Sequence, residues 1–96
     1  MSETFEVSQS HSTIAHLKKL LELLRDQGKS RVTAKALRWI HDELTRTPMQ
    51  FGESRYHLAH LDLHVRVAFV ATLAVEFAVN ETSRQVFIRR WGLQKD

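Results

Sequence analysis

Between residues 63 and 91 the chain alternates at period two, and this pattern limits the fold more than any other feature. Leu63, Val65, Val67 and Phe69 are separated by His64, Arg66 and Ala68; Leu73, Val75, Phe77 and Val79 are separated by Ala74, Glu76 and Ala78. After a polar turn over 80–84 comes Gln85-Val86-Phe87-Ile88-Arg89-Arg90-Trp91. Successive side chains of a strand point to opposite faces, so period two in Val, Ile and Phe marks strands. Three such runs in succession predict an antiparallel meander with one buried face. On this reading the large apolar series faces the core. The other face carries His64, Arg66, Ala68, Ala74, Glu76 and Ala78, and a site is expected there.

A sheet with one apolar face needs a cover, and the first half of the chain supplies it. Phe5 and Val7 alternate with polar neighbours and predict a short first strand. Ser10 or Ser12 can cap a helix by accepting from an early backbone N–H. Ile14, Leu17, Leu21 and Leu24 then recur at helical spacing, widened by Leu20 and Leu23, and predict an amphipathic helix over about 12–27 that Gly28 ends. A second helix is expected from Ser30 or Thr33 to about Thr45, with Val32, Ala36, Leu37, Ile40 and Leu44 as its stripe and Pro48 as its stop. Residues 49–54 read as a loop. Residues 55–61 read as a weaker strand, or as a lead-in that turns at Asp62. The expected fold is α+β: one domain over 1–96, a helical hairpin packed on a four- to five-stranded antiparallel sheet, in the order β-α-α-β-β-β. The first strand has no sequence neighbour and should join the sheet across the hairpin.

Composition narrows the chemistry. The chain has 96 residues and no cysteine, which excludes a disulfide framework, a zinc–thiolate site and a cysteine nucleophile. No run of 18 or more apolar residues predicts a membrane helix, and the acidic, polar start Met1-Ser2-Glu3-Thr4-Phe5-Glu6 is unlike a secretory signal, so a cytoplasmic protein is expected. Net charge is +3. Basic residues gather at Arg25, Lys29, Arg31, Lys35 and Arg38, and again at Arg84, Arg89, Arg90 and Lys95. Such patches suit an acidic partner such as RNA, and equally suit an ordinary solvated surface.

The chemical handles are few. Arg66 with Arg89 or Arg90 is expected to converge on the sheet, as planar guanidinium forks that hold a phosphate. His64 and Glu76 are the groups that can move protons. The alternative is a cross-strand ion pair between Glu76 and Arg66. Phe87, Arg89 and Trp91 share one parity and Val86, Ile88 and Arg90 the other. Either the first set forms an open aromatic–cation strip able to stack bases, or its aromatics belong to the core. His57, His60 and His64 lie close in sequence, but strand parity separates His57 from His60, and His60 and His64 flank the turn. With no cysteine and no helical His-x-x-x-His bearing a catalytic Glu either, no metal site is expected, and no cofactor is expected. Trp39 is expected at the edge of the core.

Three stretches carry a resemblance to a known family. They are Thr4-Phe5-Glu6-Val7 with the Leu-rich helix after it; the segment Pro48-Met49-Gln50-Phe51-Gly52-Glu53-Ser54-Arg55-Tyr56-His57-Leu58; and the last hairpin, where Val75-x-Phe77-x-Val79 is followed by a polar turn and Val86-Phe87-Ile88-Arg89. In order and length the chain resembles the RelE/ParE toxins of bacterial type II toxin–antitoxin systems. The resemblance implies a toxin-like component with an antitoxin-like protein partner, possible contact with RNA or the ribosome, and no membrane or small-molecule cofactor. It implies a ribosome-dependent mRNA endoribonuclease, with Arg66, Arg89 and Arg90 as phosphate-holding residues at the matching strand positions. The chain departs from the pattern in two places. Ala74 and Glu76 stand where an arginine is often found, and the tail after Trp91 has neither His nor Tyr. The family also contains members that do not cleave RNA, and a non-catalytic interaction module that binds protein through the open sheet face or edge is the other reading.

Overall fold

The computed structural model describes residues 4–94; the first three residues of the acidic start, and Lys95 of the second basic cluster, lie outside the described residues. Chain order is β1 (Glu6–Gln9), α1 (His11–Asp26), α2 (Ser30–Arg46), β2 (Glu53–Leu58), β3 (Leu63–Val70), β4 (Leu73–Asn80) and β5 (Gln85–Leu93). Single-turn 3-10 segments at Pro48–Gln50 and Ala59–Leu61 flank β2. The five strands form one sheet in the order β1-β5-β4-β3-β2.

The helices begin and end where side-chain chemistry dictates. Ser10 caps α1 by accepting from the Thr13 N–H at 3.2 Å. At the other end Gly28 takes a positive φ of 74°. Its N–H bonds the Arg25 carbonyl, and the Lys29 N–H bonds the Leu24 carbonyl, each at 2.9 Å. This paired closure satisfies carbonyls the helix leaves open, and glycine enters the left-handed region without a Cβ penalty. Pro48 follows α2 and ends it, since proline offers no N–H.

The sheet is mixed rather than purely antiparallel. β2, β3, β4 and β5 pair antiparallel, but β1 pairs parallel to β5, with Val7 opposite Val86. β5 shares the heading of β3, and β1 takes that same heading beside it.

The core lies between the helices and one face of the sheet. It holds Leu20, Leu24, Ala36, Ile40 and Leu44 from the helices and Leu73, Val75, Phe77, Val79, Val86, Ile88 and Trp91 from the sheet. Two expectations for α2 are corrected. Thr33, not Val32, is the buried residue of its first turn, because the Thr33 hydroxyl bonds that of Thr72 at 2.8 Å. Trp39 is 62% exposed, among Lys35, Asp42, Glu43 and Arg46 on the outward side of the helix.

Candidate functional site

Register, more than composition, decides which residues meet. β3 and β4 are joined by a two-residue turn over Ala71 and Thr72, with Ala71 at a φ of 51°. Val70 therefore faces Leu73, and the pairing continues through Ala68–Val75, Arg66–Phe77 and His64–Val79. Directly opposed residues point to the same side of a sheet. The core series of β4 thus shares its face with Val70, Ala68, Arg66 and His64. Val65, Val67 and Phe69 stand on the outer face, opposite Ala78, Glu76 and Ala74. The expectation that Leu63–Phe69 and Leu73–Val79 bury one common series is corrected, and so is the grouping of His64 and Arg66 with Glu76.

A bulge in β5 makes the second adjustment. Glu76 pairs with Arg90 and Phe77 with Ile88, leaving Arg89 as an extra residue. An extra residue reverses parity beyond it. Val86 and Ile88 face the core before the bulge, and Trp91 faces the core after it, 4% exposed. The indole N–H of Trp91 donates to Gln9 Oε1 at 2.9 Å and ties β5 to β1. Neither predicted set on β5 stays whole: Phe87 and Arg89 point outward, while their sequence partner Trp91 is buried.

The bulge also sets both arginines over one carboxylate. Arg90 Nη2 donates to Glu76 Oε1 at 3.2 Å, and Arg89 Nη1 lies 3.5 Å from Glu76 Oε2. Arg89 Nη1 also donates to the Tyr56 hydroxyl at 2.9 Å. Tyr56 belongs to β2, so this bond crosses the two strands between. Beneath it lies the row Tyr56–Val65–Ala78–Phe87, in which Val65 and Ala78 are buried on the face opposite the core, with no described helix over them. Beside the carboxylate is a shallow depression of about 290 Å³ lined by Arg55, Val67, Ala74, Glu76, Arg90 and Gly92 among others. Phe69 is 56%, Tyr56 48% and Phe87 37% exposed on the same face.

Of the five residues singled out as catalytic candidates, Glu76, Arg89 and Arg90 come together. Arg66 and His64 do not join them. Arg66 Nε donates to the Phe51 carbonyl and Nη2 to the Gly52 carbonyl, each at 2.9 Å. It clamps the loop before β2, whose Phe51 ring stacks on Phe77 at 5.8 Å between centroids. His64 stacks on His57, its cross-strand neighbour, at 4.0 Å and 2° between planes. The predicted Glu76–Arg66 ion pair is replaced by Glu76 with Arg89 and Arg90.

Sequence reasoning missed Tyr56 and the His57–His64 pair. Tyr56 carried a usable signal, as an aromatic in an otherwise polar edge strand. The histidine pair did not, because the 3-10 turn at Ala59–Leu61 was not anticipated between β2 and β3. Among the described residues no helix is long and apolar enough to cross a membrane. Comparison with known proteins finds no matching family model, no similar curated protein and no similar solved structure.

Proposed function

We propose that this chain is a toxin-like protein of RelE/ParE type that acts on RNA in a translation setting, through the outer face of its sheet, and is held in check by an antitoxin-like protein. The observation that carries the reading is the convergence of Tyr56, Glu76, Arg89 and Arg90 on an uncovered sheet face with exposed Phe69 and Phe87. Aromatic faces stack bases without regard to sequence, and guanidinium forks hold phosphate. In cleavage by 2′-hydroxyl attack, Glu76 takes the hydroxyl proton and the 2′-oxygen attacks phosphorus. Arg89 and Arg90 stabilise the phosphorane charge, and Tyr56 protonates the departing 5′-oxygen. Arg66 and His64 have no part in this step.

A second reading, a non-catalytic interaction module, is favoured by two observations. Both arginines are already matched to Glu76, and β2 is a sheet edge whose residues are mostly exposed and open to strand addition.

The test is induction in a bacterial host, followed by purified protein with translating ribosomes and with free single-stranded RNA. The RNA reading expects growth arrest, mRNA cleavage and salt-sensitive binding, all lost on Arg89→Ala with Arg90→Ala. Cleavage should fall at least a hundredfold on Glu76→Gln with binding kept. Normal growth together with no salt-sensitive RNA binding would remove the RNA reading and leave the module.

A further inference from the structure

At the far end of the β2–β3 hairpin, away from the outer face, three side chains offer metal-ligand atoms to one another. His57 and His64 are directly opposed in the β2–β3 ladder. Asp62 sits between them in sequence, in the left-handed conformation at φ 50° that ends the 3-10 turn. That backbone turns its carboxylate back over the pair, with Oδ1 at 3.6 Å from His57 Nε2. One ligand atom from each of the three lies within 4.8 Å of the others.

We infer that His57, Asp62 and His64 form a surface binding site for a divalent transition-metal ion of the zinc class. The donor set is two imidazoles and one carboxylate. It suits zinc, nickel or copper and does not suit calcium or magnesium, which take oxygen ligands. Three protein ligands leave a coordination position open. The Glu81 carboxylate, 4.0 Å from His64 Nε2, is the nearest candidate to fill it.

Two further features fit a ligand set. The second oxygen of Asp62 is already held: the Thr82 hydroxyl donates to Oδ2 at 3.1 Å. Ligating carboxylates are commonly oriented by such an outer partner. Thr82 and Glu81 also belong to the β4–β5 turn, so an ion would staple the ends of two hairpins together. Binding asks for one local change. A metal lies in the plane of each imidazole it binds, and the rings now stack face to face. Ligand atoms around a tetrahedral ion stand roughly 3.4 Å apart, from bonds of about 2.0–2.1 Å. Rotation about the broad, soft terminal torsion of each histidine tilts the rings and closes that difference. His57 and Asp62 are exposed, so solvent and not packed core surrounds the rings as they tilt.

The experiment is calorimetric titration of the untagged chain with zinc chloride and nickel chloride, with magnesium chloride as a control. NMR of the histidine ring protons runs in parallel. One equivalent of zinc should bind. Its ring-proton shifts should appear at His57 and His64 and not at His11, His16 or His41. His57→Gln and His64→Gln should each weaken binding tenfold or more, and Thr82→Val by about tenfold through the outer partner. Asp62→Asn, which keeps a residue tolerant of the left-handed region, should also weaken it. His60→Gln, in the same turn, should change nothing. Circular dichroism confirms that each variant folds. No zinc binding by the folded wild-type chain overturns the site. So does binding that His57→Gln and His64→Gln leave intact.

Discussion

Arg66 provides the sharpest test of the sheet register, because its two possible faces predict opposite behaviour. On the outer face it would be a solvated cation whose removal changes binding and spares stability. On the observed face its guanidinium spans the carbonyls of Phe51 and Gly52 and pins the loop that carries Phe51 onto Phe77. Arg66→Met keeps much of the alkyl stem and deletes the donors. A hydrogen bond from a charged group contributes about 1.5–3 kcal/mol net. One of these bonds is part-buried and the other exposed, so the solvated one counts for less and the pair for about 2–3 kcal/mol. For a domain of this size each kcal/mol moves Tm by about 4–8 °C, so the loss should be roughly 10–20 °C. In urea, with m near the low end of about 1–3 kcal/mol/M, the midpoint should fall by about 1.5–2 M. The assay is urea unfolding followed by circular dichroism, with tryptophan fluorescence as a second probe because Trp91 is buried. Arg66→Lys keeps the charge but not the fork, and should recover part of the loss. An unchanged midpoint for Arg66→Met would refute the register argued for β3.

Other perturbations probe the same architecture. Gly52→Ala should cost about 3 kcal/mol or prevent folding, read as lost soluble yield and lost cooperativity. Its φ is 72°, and a Cβ there would meet the Val67 carbonyl oxygen and stand 2.9 Å from the Ala68 Cβ. Deleting Arg89 removes the bulge yet leaves Ile88 and Trp91 two residues apart on the core face, so the cooperative heat-capacity transition should survive while the Arg89 contacts to Tyr56 and Glu76 are lost. Thr33→Val leaves the part-buried Thr72 hydroxyl without its partner and should cost about 1–2 kcal/mol in thermal unfolding. Adding Thr72→Val should return part of that loss, since an apolar pair leaves nothing unsatisfied.

The elements were legible because each carries local chemistry: the Ser10 cap, the Gly28 stop, Pro48, and period two from Leu63 onward. Faces and pairings were less legible, although part of that information was present. A two-residue turn sets residue i opposite residue i+3. An odd-numbered series on β3 therefore cannot share a face with an odd-numbered series on β4 across Ala71 and Thr72. Leu63, Val65, Val67 and Phe69 look like a core stripe in isolation. The complete series Leu73, Val75, Phe77 and Val79, with Ala74 and Ala78 on its reverse, claims the helices instead. Arg66 and His64 are tolerated on the covered face because the Phe51 loop and the hairpin end give them polar partners. The Arg89 bulge was not: nothing in Ile88-Arg89-Arg90-Trp91 states that two successive arginines project to one side. That single irregularity determined which part of the candidate site came together.

The pairing of β1 with β5 has a consequence for the order of events during synthesis. The first strand and the helical hairpin leave the ribosome early, yet the surface they cover is made of β4 and β5, and the hydrogen-bonding edge for β1 is β5 itself. Loop closure over nearly the whole chain must precede that contact, and contacts so distant in sequence form slowly. Until β5 emerges, the apolar stripes of α1 and α2 lack the Val86, Ile88 and Trp91 part of the surface they rest on. A chain interrupted anywhere before Gln85 therefore lacks its closing seam and exposes apolar surface that proteases and chaperones recognise. The outer-face cluster is also assembled last, because Arg89 and Arg90 reach Glu76 only when β5 docks. A nascent chain of this protein holds neither its closing seam nor its Glu76–Arg89–Arg90 cluster until synthesis has passed its final strand.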